Sequence, residues 1–112
     1  MFRILIAEDD RELRMLFART LEKHGYAAIG VSNGKEALEA LDKGYVDLII
    51  SDIMMPVMDG YELVRTLRES AITTPVLMIT AKSAFDDMNT GFNSGADDYM
   101  VKPININEMV LR

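Results

Sequence analysis

Val46-Asp47-Leu48-Ile49-Ile50-Ser51-Asp52-Ile53-Met54-Met55-Pro56-Val57-Met58-Asp59-Gly60 passes from strand chemistry to turn chemistry, and Asp52 stands at the change. A carboxylate at the C-terminal end of a buried strand is costly unless something there uses it. Three other apolar runs end in the same way. Glu8 and Asp9 follow Ile4-Leu5-Ile6-Ala7, Thr80 follows Val76-Leu77-Met78-Ile79, and Lys102-Pro103 follows Tyr99-Met100-Val101. In a parallel α/β sheet the C-terminal strand ends share one edge, and ligands bind in the crevice there. Three carboxylates, a hydroxyl and an ammonium group are therefore expected to converge. That set suits a divalent cation and a phosphoryl group.

The rest of the chain supports such a sheet. Strand patterns fall at 3–7, 27–31, 47–51, 76–80 and 98–101. Runs apolar on both faces, such as Leu48-Ile49-Ile50, suit parallel strands covered by helices on each side. Helix patterns fill the gaps. Residues 11–24 carry Leu13, Leu16, Phe17 and Leu21 at helical spacing, and Gly25 stops them. Asn33 or Ser32 caps a helix over 35–43, with Ala37, Leu38 and Leu41 inward and Gly44 as its stop. Asp59 caps a helix over 61–69, with Leu63, Val64 and Leu67 inward. A weaker helix covers 84–93, and a last one starts at Asn105 or Asn107 and still runs at Val110-Leu111-Arg112. Five βα units imply a doubly wound α/β sandwich around a parallel sheet. The unfinished last helix reads as a cut through a longer chain; a short terminal helix is the plainer alternative.

Composition narrows the function classes. At 112 residues, with 49% apolar residues, 27% charged residues and mean hydropathy of +0.06, the chain has the size and balance of one globular domain. No apolar run approaches the roughly 18 residues of a membrane span. There is no cysteine, hence no disulfide scaffold and no thiolate metal site. Cytoplasmic is the expected location. The net charge of −6 and the lack of a basic cluster argue against direct nucleic-acid binding and against an anionic membrane surface.

In order along the chain, the landmarks are Ile-Leu-Ile-Ala-Glu8-Asp9-Asp10; Asp47-Leu-Ile-Ile-Ser-Asp52-Ile-Met-Met-Pro56-Val-Met-Asp59-Gly60; Ile79-Thr80-Ala81-Lys82; and Gly95-Ala-Asp-Asp98-Tyr99-Met-Val-Lys102-Pro103. Together they resemble the receiver domain of bacterial two-component response regulators, across essentially the whole chain. The resemblance implies a flavodoxin-like (βα)5 sandwich with strand order 2-1-3-4-5, and a receiver domain over 1–112 whose last helix is truncated. It implies that Asp52 accepts a phosphoryl group from the phosphohistidine of a sensor histidine kinase. Glu8, Asp9 and Asp52 would hold Mg²⁺ (or Mn²⁺), with the backbone carbonyl of Met54 as a further ligand. Lys102 would meet one phosphoryl oxygen and Thr80 another. Thr80 and Tyr99 match the switch pair, biasing a surface formed by the fourth helix, fifth strand and fifth helix. Pro103 matches a position that follows a cis Lys-Pro bond.

Further expectations rest on the same resemblance. The controlled partner would be an effector domain or downstream protein, with a transcription regulator as the expected type. Asp98, Glu108 and Arg112 match a set of homodimer contacts found with winged-helix effectors, although Met88 stands where a basic partner is usual. Met54 and Lys82 lie where water attack on the phosphoaspartate is influenced, and apolar Met54 predicts a slow loss of the phosphoryl group.

Plainer readings stand beside these. Asp10 caps the first helix, and acids favour helix N-termini generally. Thr80 alone would be a strand-end hydroxyl, Tyr99 half-buried packing, and Asp98 and Arg112 solvated charges. His24 suits a helix C-terminus, and the methionines are mostly core filler. Gly34-Lys35 lacks the rest of a phosphate-binding loop. Two other function classes compete with the switch. A phosphohydrolase with an aspartyl-phosphate intermediate would need a further acid, often two residues after the nucleophile, where Met54 stands. A receiver-like module that is never phosphorylated would tend to lack the acids or the lysine, all of which are kept.

Overall fold

A computed structural model describes residues 2–80 and 98–101, with Thr80 and 98–101 described through their backbone. The elements are β1 (Arg3–Ala7), α1 (Arg11–Lys23), β2 (Ala27–Val31), α2 (Gly34–Lys43), β3 (Leu48–Asp52), α3 (Gly60–Glu69), β4 (Val76–Thr80) and β5 (Asp98–Val101). The strands form one parallel sheet in the order β2-β1-β3-β4-β5, as the resemblance implied. The expected helices over 84–93 and from Asn105 or Asn107 lie outside the described residues.

Strand alternation divides the core into two faces. Ile4 and Ile6 of β1, Ile50 of β3, and Leu77 and Ile79 of β4 pack with Phe17 and Leu21 of α1. Leu5, Ala7, Ile49, Val76 and Met78 project to the other face. There they meet Ala37 of α2 and Leu63, Val64 and Leu67 of α3. Each central strand is thus covered twice, which is why its apolar residues run consecutively.

Caps set the helix boundaries. Asp10 accepts from the amides of Glu12 and Leu13, Asn33 from Glu36, and Asp59 from Glu62. Of the two candidates before α2, Asn33 is the cap. Ser32 instead donates through its amide and its hydroxyl to Glu36 Oε1, both at 2.7 Å. Gly25 ends α1 at φ +88°, with its own amide and that of Tyr26 returning to Glu22 and Leu21. Gly44 follows α2 in extended backbone, φ −177°, so it stops the helix without needing glycine's left-handed freedom. His24 caps the end of α1, its Nδ1 donating to the Thr20 carbonyl at 2.9 Å.

Two sequence expectations are corrected. β3 is shifted by one residue, so Asp52 is its last member rather than the first residue beyond it. Asp47 lies before the strand. Its amide donates to the Arg3 carbonyl at 2.8 Å, and its carboxylate accepts from the Arg3 amide at 2.8 Å. Leu16 is exposed rather than inward, because at about 100° per residue it stands about 60° beyond Leu13, outside the stripe that Leu13, Phe17 and Leu21 turn to the sheet. Among the methionines whose side chains are described, Met55 and Met78 are buried and Met58 packs against the core, while Met15 and Met54 are exposed.

Candidate phosphoryl and metal site

The acids meet because β1 and β3 are neighbours. Ala7 is level with Ser51, so the next residues, Glu8 and Asp52, come side by side. Glu8 continues the β1 ladder, its amide donating to the Val31 carbonyl at 3.0 Å. Period-two alternation carries both residues to the α1 face of the sheet. Glu8 is 1% exposed and Asp52 5% exposed, whereas Asp9 faces solvent. One carboxylate oxygen from each of Glu8, Asp9 and Asp52 lies within 4.8 Å of the others.

This donor set fits a small hard cation. It is all oxygen, which selects magnesium- or manganese-like ions over softer metals. Magnesium–oxygen bonds of about 2.1 Å put opposite ligands about 4 Å apart, the scale of this cluster. Glu8, Asp9 and Asp52 are the residues that could hold such an ion.

Beyond Asp52 the chain folds back over its carboxylate. The Met54 amide donates to Asp52 Oδ1 at 3.3 Å, while the Met54 side chain is 67% exposed. The Ile53 amide joins the Ile79 carbonyl at 3.1 Å. Loop 53–59 then turns on Pro56, Val57 and Met58. The Met58 amide donates to the Pro56 carbonyl at 2.8 Å, a γ-turn with Val57 at its centre, φ +69°. Two glycines fasten the loop. The Gly34 amide donates to the Met58 carbonyl at 3.0 Å, and the Gly60 amide to the Ile53 carbonyl at 2.8 Å. A Cβ at Gly34 would stand 2.7 Å from Met58 Cγ, and one at Gly60 2.5 Å from the Asp52 carbonyl oxygen. No larger residue fits either position without displacing the loop.

Glu36, next to the loop's anchor at Gly34, has its carboxyl held below the ordinary value of 4.5. Hydrogen bonds from the Ser32 hydroxyl and then the Ser32 amide are the main causes, and the Arg14 charge adds to them.

The other expected site residues stand as follows. Thr80 ends β4 beside Val101, and Tyr99 of β5 is level with Met78. Asp98 opens β5, level with Leu77. Lys82, Met88, Lys102, Pro103, Glu108 and Arg112 lie outside the described residues. One residue beside the cluster is missing from the sequence reading. Arg14 Nη1 donates to the Glu8 carbonyl at 2.8 Å, its stem lying across Gly30. A helical arginine reads as a solvated charge, but a glycine inside β2 was the available signal, since strand glycines often mark a close approach.

Comparison with known proteins assigns the family. Residues 4–112 match the response regulator receiver domain, and the chain belongs to that family. Its curated relatives include the transcriptional regulatory protein TcrA of Mycobacterium tuberculosis, 41% identical over 110 residues. That match takes in 98% of this chain and 44% of TcrA. The transcriptional regulatory protein PcoR of Escherichia coli is 43% identical over 112 residues, 100% of this chain and 50% of PcoR. The chain thus spans about half the length of the curated relatives it matches. The receiver domain of Francisella response regulator 1452 superposes with a TM-score of 0.93 at 34% identity, covering 100% of this chain and 93% of that one. Vibrio cholerae chemotaxis protein CheY4 gives 0.91 at 34% identity, covering 99% and 94%. Among the described residues no helix is long and apolar enough to cross a membrane.

Proposed function

We propose that this domain is a phosphorylation-activated switch in which Asp52 accepts a phosphoryl group from the phosphohistidine of a sensor histidine kinase. The observation that carries this reading is the meeting of the Glu8, Asp9 and Asp52 carboxylates at the C-terminal edge of the sheet, in a chain of the receiver family. An Asp52 oxygen forms the new bond to phosphorus as the bond to the kinase imidazole nitrogen breaks. Phosphoryl transfer depends chiefly on positioning and charge neutralisation. A bound Mg²⁺ would neutralise charge on the phosphoryl oxygens and offset repulsion among the three acids. Glu8 and Asp9 would hold it with Asp52 and the Met54 carbonyl. Lys102 would meet a phosphoryl oxygen, and Thr80 would donate to another.

The output follows from the same residues. Thr80 and Tyr99 form the switch pair, and Pro103 is the structural residue beside Lys102. The changed surface, that of the expected fourth helix, β5 and the expected fifth helix, would then control an effector. The transcriptional regulatory relatives favour a transcription regulator as that effector. Asp98, Glu108 and Arg112 are the proposed contacts of a homodimer formed through that surface. The chain is a phosphoacceptor that assists its own phosphorylation and dephosphorylation, not a turnover enzyme.

Intact mass after incubation with acetyl phosphate and Mg²⁺ tests the reading. The expected result is one added phosphoryl group, absent in Asp52→Asn and in EDTA. A folded, Mg²⁺-binding chain that gains no mass would instead be an unphosphorylated interaction module. Met54 offers water no polar handle, so the phosphoryl group should be lost slowly. Met54→Asn should hasten its decay, and an unchanged rate would remove Met54 from that role.

A further inference from the structure

Arg14 is a residue of α1 with no part in the chemistry above, and it is bound into the acidic corner. Its Nη1 donates to the Glu8 carbonyl at 2.8 Å in a partly buried contact. Its stem crosses β2 so closely that a Cβ at Gly30 would be 3.1 Å from Arg14 Cδ and 3.2 Å from Cγ. The Arg14 amide closes the first turn of α1 on the Asp10 carbonyl at 2.9 Å. Glu8 is therefore gripped on both of its backbone groups, with its amide on Val31 and its carbonyl on Arg14. Those two bonds fix the peptide planes on either side of a side chain that is 1% exposed.

We propose that Arg14 is a positioning residue for the divalent-cation site, holding the Glu8 backbone so that its carboxylate meets those of Asp9 and Asp52. The inference rests on the metal reading of that cluster. Arg14 could affect a cation in two opposed ways, and the opposition makes the idea testable. As a nearby positive charge it would weaken cation binding, so its removal would tighten binding. As a clamp it orients a ligand, so its removal would weaken binding. Groups that orient a metal ligand from behind are typically worth about 10–100-fold in affinity. The clamp here acts through the backbone, so the lower end, about 10-fold, is expected.

The test is calorimetric titration of Mg²⁺ into the wild-type chain, Arg14→Met and Arg14→Lys, with thermal unfolding of each apo protein alongside. Methionine keeps much of the stem over Gly30 and loses the charge and the donors; lysine restores both. The expected result is a Kd raised about 10-fold in Arg14→Met and largely recovered in Arg14→Lys. Tighter binding in Arg14→Met would overturn the clamp in favour of simple charge. An unchanged Kd, with or without a lower Tm, would make Arg14 a packing residue. If the wild-type chain itself takes up no Mg²⁺, the metal reading falls and this inference falls with it. If wild type binds and Asp9→Asn does not while Arg14→Met matches wild type, this inference alone is lost.

Discussion

The β1–α1 corner and loop 53–59 both border the cluster of Glu8, Asp9 and Asp52, and they are held in opposite ways. At the corner, Glu8-Asp9-Asp10 passes directly into a capped helix. Its backbone groups are tied by Val31, Arg14 and the Asp10 cap, and none of its residues has a positive φ. The loop after Asp52 is longer and carries a β-branched residue, Val57, at φ +69° and 74% exposed. It keeps that shape because both ends are trapped against glycines. One region is fixed by side-chain fastening without strain, the other by tight steric fit around a strained turn. A ligand pair that must be preorganised can use the first solution, while a segment that must wrap around an accepted group can carry the second.

The largest effect should come from Gly60→Ala, which would drive a methyl into the Asp52 carbonyl, 2.5 Å away on rigid backbone. A loss of about 3 kcal/mol in urea unfolding is expected. A cost below about 1 kcal/mol would show that the loop gives way and that the contrast with the corner is false. Gly34→Ala meets the same loop at Met58, 2.7 Å from the side-chain Cγ and 2.9 Å from the carbonyl oxygen, a looser backbone approach than at Gly60, so about 1–2 kcal/mol is expected. Equal costs for the two variants would mean that the loop is pinned evenly at both ends.

Val57→Gly tests the strain with the opposite sign. Relief of a positive φ at a β-branched residue should be worth about 1–3 kcal/mol, from which glycine's unfolded-state entropy removes about 0.5–1 kcal/mol. The variant should be more stable by about 1 kcal/mol. A destabilised variant would remove strain from the description of this loop.

The smallest effect concerns the carboxylate beside the loop's anchor. Glu36 titrates lower in the folded chain than at its ordinary 4.5, so the folded state holds fewer protons there. Its contribution to stability is therefore full above that ordinary value and is lost as pH falls through the lower, folded one. Glu36 is fully exposed, so the effect is small. The stability gap between wild type and Glu36→Gln, measured by urea unfolding, should narrow as the pH falls through the carboxylate range. A gap that stays constant would detach Glu36 from the α2 terminus.

Much of this was legible because the residue types are unambiguous where the elements begin and end. Asp10, Asn33 and Asp59 are short polar side chains before apolar helical patterns, and each caps its helix. The consecutive apolar residues of β1 and β3 reported a doubly covered sheet, and with it the edge where the acids meet. What was not legible depends on tertiary fit. Leu16 has the right spacing to face inward, but the covered stripe on α1 ends before it. Asp52 inside β3 could not be told from Asp52 just after it, because pairing with Ile79 decides that boundary. Valine is among the residues least expected at a positive φ, so the γ-turn at Val57 left no mark in the sequence. Arg14 looked like any charge on a helix; its role depends on what lies across from it.

The neighbouring of β1 and β3 also orders events in time. Glu8 and Asp9 are made before Asp52, and the strand that brings Asp52 to them is anchored at its far end by Arg3 and Asp47, 44 positions apart. Closing that span costs chain entropy before any contact rewards it. The emerging chain thus carries two acids and no site until β3 has been synthesised and has docked. A cation bound among the three carboxylates would recognise the finished sheet, and by mass action its stabilisation would go to the native state.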